Sequence, residues 1–187
     1  MDPAVHERHM RQAIEIANGN PDAPFGTVIA DGETGKVLAE GLNDDEKNPI
    51  LHGEIDAILN LAGTEPDADW TRLVLYTTAE PCPMCSEAIL WCGMPHVVFG
   101  TSIATLERLN LPQISLSCGE IACRASSSFA HPEITGGLLE GDCDALFGEM
   151  ARRMGEWILV KGEPVPSKAV HGRGGKMRTI NYPTQSR

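Results

Sequence analysis

The stretch RLVLYTTAEPCPMCSEAILWCGMPHVVFGT, residues 72–101, decides the fold. Its opening run is apolar and β-rich and stops at Ala79-Glu80-Pro81, as a buried strand does. Met84 to Cys92 carries the apolar spacing of a helix, closed by Gly93 and Pro95, and His96 to Thr101 is a second short strand. Strand, helix and strand in immediate succession imply parallel neighbours joined by a right-handed crossover. Cys82 and Cys85 stand three residues apart where the crossover helix begins.

Residues three apart on a helix share a face, so both sulfurs aim at one spot. The unpaired N–H groups and the dipole at a helix start favour thiolate over thiol, and thiolate is the form that binds metal. Three readings fit the pair: a redox couple, half of a structural zinc knuckle, or part of a catalytic metal site completed from elsewhere. A thioredoxin-like couple follows the first or second strand of its domain, whereas this pair lies near the middle of the chain. A knuckle needs two more Cys or His at tight spacing, and Cys118 and Cys123 are five apart in a segment of no clear period. Singly, Cys92, Cys118, Cys123 and Cys143 read as small buried apolar groups.

Towards the N-terminus, ILHGEIDAIL, residues 50–59, puts His52 and Glu54 at the start of another helix. That helix is read over residues 50–62, with Ile55, Ile58, Leu59 and Ala62 on one face and an end near Leu61, before GTEPDADW. His52 with the cysteine pair makes a His-Cys-Cys set, which leaves the fourth tetrahedral position of zinc to water. Alone, Glu54 would be an ordinary first-turn acid; beside such a water it takes a proton and hands it to a leaving group. Zinc lowers the pKa of bound water to about 7, so these groups suit hydrolysis of an amidine-type C–NH2 bond at neutral pH.

Further outward, Val5, Met10, Ala13, Ile14 and Ala17 predict an amphipathic helix over residues 4–17 that covers a sheet. Residues 25–30 and 36–41 predict a hairpin. Residues 101–133 mix a candidate short helix with a Ser-rich stretch of no clear period and are expected to be loops. A brief strand and a terminal helix follow, the helix with Leu139, Cys143, Leu146, Phe147 and Met150 on its apolar side. There is no internal repeat.

A length of 187 residues with 42% hydrophobic and 22% charged residues fits one soluble globular domain. The body, residues 1–160, holds nine Lys and Arg against twenty-five acids, and the tail, residues 161–187, six against one. An acidic body repels a phosphate backbone, so small-molecule substrates are favoured and nucleic acid is not expected; the basic tail reads as a solvated arm or a segment docking on a partner subunit. The N-terminus has neither a secretory signal nor a membrane span, and the irregular cysteines do not form a disulfide framework, which together imply a cytoplasmic protein.

The H-x-E of residues 52–54 followed by the P-C-x-x-C of residues 81–85 is the compound mark of zinc nucleobase deaminases. With PFGTVI at 24–29, GLN at 41–43 and TTAEPCPMCSEAILWCG at 77–93, the chain resembles the cytidine deaminase-like superfamily over residues 5–100, and more closely its guanine deaminase and tRNA adenosine deaminase branch. The resemblance implies an α/β fold, a three-layer α/β/α arrangement of a mixed five-stranded sheet flanked by helices, in a homodimer. It implies that His52, Cys82 and Cys85 bind one Zn2+ per subunit, with water or hydroxide as fourth ligand, and that Glu54 shuttles protons. Phe25 would line the base pocket, Asn43 would hydrogen-bond the base, the Gly53 N–H would hold a ring carbonyl and Trp91 would wall the site.

Two departures accompany the resemblance. Gly53 replaces the usual alanine, which loosens the helix start or makes room for a larger substrate. The acid that guanine deaminases carry after the fourth strand has no counterpart in residues 101–118, and Glu107 or Glu120 is expected to stand in. Tyr182 of the tail is a candidate lid over the partner's site. The function so implied is zinc-dependent hydrolytic deamination of a free nucleobase or nucleoside: guanine, guanosine or a related aminated purine, triazine or pyrimidine. The alternatives are a tRNA adenosine deaminase and, from another class, a zinc-stabilised binding module without chemistry.

Overall fold

The computed structural model describes residues 2–160, with side chains described to residue 154. The tail from residue 161, and Tyr182 with it, lies outside the described residues. Among the described residues, six α-helices and five strands run in the order α1 (Pro3–Ala17), β1 (Gly26–Asp31), β2 (Val37–Leu42), α2 (Gly53–Thr64), β3 (Leu73–Ala79), α3 (Pro83–Cys92), β4 (His96–Thr101), α4 (Ile103–Arg108), α5 (Cys118–Arg124), β5 (Glu133–Thr135) and α6 (Glu140–Val160).

The strands form one mixed sheet in the order β2-β1-β3-β4-β5. The hairpin pairs β1 with β2 antiparallel, and β1 also pairs antiparallel with β3. β3 and β4, joined through α3, are parallel as the strand-helix-strand pattern requires, and β5 adds parallel to β4. Every residue of β3 is buried, which is why its sequence is a continuous apolar run rather than an alternation.

The sheet's pleat divides the core in two. Ile29, Leu73, Leu75 and Val97 face α2 and α3, packing with Ala57, Leu61 and Ile89. Val28, Ala30, Val74, Tyr76 and Val98 face the other way, against Met10 and Ala13 of α1 and Cys143 of α6. The alternation along each strand therefore builds the three-layer arrangement.

Two expectations need correction. Residues 101–133 are not all loop: α4 and α5 form there, capped by Ser102 and Ser117, whose side chains accept from the N–H groups of Thr105 and Glu120. Helices of six and seven residues are too short to show an apolar period, so only their caps mark them. Nor are all four single cysteines buried, since Cys118 and Cys143 are, Cys92 is half-buried and Cys123 is exposed.

Candidate active site

The carboxyl ends of β2, β3 and β4 and the start of β1 meet at one end of the sheet, where open α/β folds hold their ligands. Two helix starts arrive there. His52 is the N-cap residue of α2 and Cys82 that of α3, and neither side chain is spent on capping. Pro83 at the first turn of α3 fixes the entry backbone without losing a needed donor. The convergence puts His52 Nδ1 3.5 Å from Cys82 Sγ and 3.6 Å from Cys85 Sγ, although the histidine is 30 residues away in sequence from the nearer cysteine.

Those spacings test whether a metal fits. Sulfur at about 2.3 Å and nitrogen at about 2.0–2.1 Å from one tetrahedral zinc stand roughly 3.6 Å apart. The three donor atoms all lie within 4.8 Å of one another and form the one such cluster found among the described residues. Both nitrogen–sulfur spacings match edges of one tetrahedron, and two sulfurs with an imidazole nitrogen fit zinc with a position to spare. Hydrogen bonding from Cys85, then from His52, brings the Cys82 thiol down to about 4, towards the thiolate form that binds metal. The Cys85 thiol is raised by the bond to Cys82 and by burial, and His52 is raised chiefly by its bond to Cys82.

Glu54, in the first turn of α2, is 3% exposed beside this cluster. Burial raises its pKa, and the charge on Cys82 adds to the effect. A buried carboxyl with a raised pKa is the state a proton carrier needs. Its Oε1 accepts from Thr77 Oγ1 at 3.3 Å.

Gly53 does not open space for a larger substrate. A Cβ on it would stand 2.4 Å from the carbonyl oxygen of Phe25, so the room is filled by main chain. The same carbonyl accepts from the Asn43 N–H at 3.1 Å, which gathers Phe25, Asn43 and Gly53 around one oxygen. Phe25 is half-buried, its ring centroid 4.9 Å from that of Phe147. Asn43 is 5% exposed and its Nδ2 donates to Asp45 Oδ1 at 2.9 Å. A carboxylate only accepts, so the amide nitrogen must be the atom facing Asp45.

Trp91 and Glu120 stand elsewhere in the described chain. Trp91 is 77% exposed on the last turn of α3, edge-on to Phe129, six residues and about 9 Å along the helix from Cys85. The Glu120 carboxylate accepts from the N–H and hydroxyl of Ser117, which closes the capping box of α5.

Three contributors escaped the sequence reading: Thr77, Asp45 and Glu80. Glu80, 9% exposed, precedes the Pro81-Cys82 turn and accepts from the N–H of Ile103 through Oε2 and from that of Cys118 through Oε1, both at 3.0 Å. It thus caps α4 and α5 together and fixes both to the cysteine loop. In the sequence its signal is an acid that ends an apolar run, which by itself marks only the end of a strand.

Residues 3–101, more than half of the chain, match the family described as cytidine and deoxycytidylate deaminase zinc-binding region. A probable cytosine deaminase of Schizosaccharomyces pombe is 29% identical over 143 residues, 72% of this chain and 85% of that protein. A guanine deaminase of Bacillus subtilis is 35% identical over 100 residues, 50% of this chain and 62% of the relative. Among solved structures, a guanine deaminase from Nitrosomonas europaea superposes with a TM-score of 0.66 at 23% identity, covering 78% of this chain and 84% of its own, which is a likeness of fold. With the motif, the donor cluster and the sheet order in agreement, the chain belongs to the zinc-binding cytidine and deoxycytidylate deaminase family.

Proposed function

We propose that this protein hydrolytically deaminates a free nucleobase or nucleoside of the guanine type, releasing ammonia, with His52, Cys82 and Cys85 holding one zinc ion. The observation that carries the reading is the spacing of three zinc donors beside a buried carboxyl. Zinc, when bound, supplies Lewis acidity that lowers the pKa of water.

The chain's own groups do the rest. Glu54 takes a proton from the attacking water and passes it to a ring nitrogen as the C–O bond forms, then takes the proton of the hydroxyl so added and gives it to the amine as the C–N bond breaks, so that ring C–NH2 and water become ring C=O and ammonia. Its burial beside the three donors supports this role. Phe25 forms an apolar wall. Asn43, with its amide nitrogen held by Asp45, offers its carbonyl oxygen to a ring N–H, and the first-turn N–H groups of α2 at Gly53 serve a ring carbonyl.

A ring N–H and a carbonyl on one ring describe guanine or cytosine better than adenine, and the relatives include a guanine deaminase of Bacillus subtilis and a probable cytosine deaminase of Schizosaccharomyces pombe. The net charge of −11 supports a small substrate over a polyanion. A homodimer suits the exposed pairing of Trp91 with Phe129, a face that a second copy would cover.

The test is ammonia release from a panel of aminated purines, pyrimidines and triazines, with metal analysis on the same sample. Wild type should turn over at least one of them, guanine foremost. Glu54→Gln should keep zinc and fold while losing about 10²–10⁴-fold in kcat. A wild type that holds zinc and releases ammonia from none of these rings contradicts the proposal.

A further inference from the structure

The antiparallel register of β1 and β3 sets Ile29 opposite Leu75 and, one pair along the same face, Thr27 opposite Thr77. Ile29 and Leu75 belong to the apolar core under α2 and α3. Thr27 and Thr77 are equally buried, with no exposed surface, yet each carries a hydroxyl where the pattern would take valine. Burying a hydroxyl is costly unless it is hydrogen-bonded. Here each one is, and in a direction. Thr27 Oγ1 donates to Thr77 Oγ1 at 3.3 Å, and Thr77 Oγ1 donates to Glu54 Oε1 at 3.3 Å. A hydroxyl has one proton to give, so with Thr27 donating to it Thr77 turns its own proton on Glu54.

We propose that Thr77, steered by Thr27, is a positioning residue that keeps Oε1 of Glu54 an acceptor, so that the proton Glu54 carries during deamination always rides on Oε2. This rests on the reading of Glu54 as the proton carrier. A carboxyl free to rotate would present either oxygen to the reacting ring, and half of its orientations would hold the proton away from it. The threonine pair removes that freedom from beneath, at the sheet, where neither metal nor substrate is touched. The sheet register therefore reaches the chemistry through one side chain.

The test is a comparison of Thr77→Val, which keeps shape and removes the hydroxyl, with Thr77→Ser, which keeps the hydroxyl. Thr77→Val should lower kcat about tenfold, the scale of one lost hydrogen bond, with KM and zinc content unchanged. Thr77→Ser should restore kcat, and Thr27→Val should show a smaller fall that does not add to that of Thr77→Val. Crystal structures of the zinc-loaded wild type and Thr77→Val supply a readout apart from turnover: Glu54 in one orientation in the first, rotated or split in the second. Full kcat in Thr77→Val, or an unmoved Glu54 carboxylate, overturns the inference. If the wild type deaminates no ring, the functional reading fails, and the two crystal structures alone decide whether Thr77 holds Glu54.

Discussion

The α-carbon of Gly53 and the carbonyl of Phe25 approach so closely that a Cβ on Gly53 would stand 2.4 Å from that oxygen, with Thr27 Oγ1 at 3.1 Å beyond it. Gly41 repeats the relation from below, its absent Cβ 2.1 Å from the carbonyl of Gly53. The two glycines let α2 sit directly on the β1–β2 hairpin. Gly53→Ala must push main chain rather than a flexible side chain, at a cost of about 1–3 kcal/mol in the range of core overpacking. The displaced helix start carries His52, so the variant should also bind zinc more weakly. Chemical denaturation and metal titration on one preparation check both effects, and an alanine variant of wild-type stability and affinity would show that α2 has slack there.

Glu80 makes a separate prediction. Glu80→Ala leaves the buried N–H groups of Ile103 and Cys118 unpaired, and each charge-assisted bond is worth about 1.5–3 kcal/mol. Stability should fall by several kcal/mol, while Glu80→Gln, which keeps one carbonyl acceptor, should fall less. Hydrogen exchange read residue by residue should quicken first at Ile103 and Cys118, ahead of the central strand β3.

Stability should depend on pH through His9. Its ring is 1% exposed, its centroid 5.0 Å from that of Tyr76, and neither ring nitrogen has a hydrogen-bond partner among the described residues. Burial, then the charge of Arg8, lowers its pKa below 6.5. Below that pH the unfolded chain takes up a proton that the folded ring refuses, so stability is full above pH 6.5 and declines as pH falls from there to the lower folded value. Urea unfolding at pH 7.5 and 5.5 measures the decline. His9→Phe, which fills the same space without a proton site, should shrink it, and an unchanged difference would clear His9 of the effect.

How far the sequence carried depended on how local each cause was. The helices α1, α2, α3 and α6 follow from periodicity and the strands from short apolar or β-rich runs between turn signals, and the order strand, helix, strand in residues 72–101 carried the parallel pair with it. The donor set was legible because the H-x-E and P-C-x-x-C motifs are compact. What escaped depends on contacts between distant residues. Glu80 lies 23 and 38 residues from the helix starts it caps, so nothing near Ile103 or Cys118 announces them. Thr77 is an ordinary β-former until its register with Thr27 is known. Gly53 looked like added room because the carbonyl that fills it belongs to Phe25.

Zinc K-edge X-ray absorption on the purified, metal-loaded protein tests the central claim most directly. The account predicts two sulfurs at about 2.3 Å, one imidazole nitrogen at about 2.0–2.1 Å and one further light donor that is not supplied by the chain. His52→Ala should remove the imidazole signature and leave the sulfurs. A wild-type shell of four protein donors, or of sulfurs without imidazole, would contradict it.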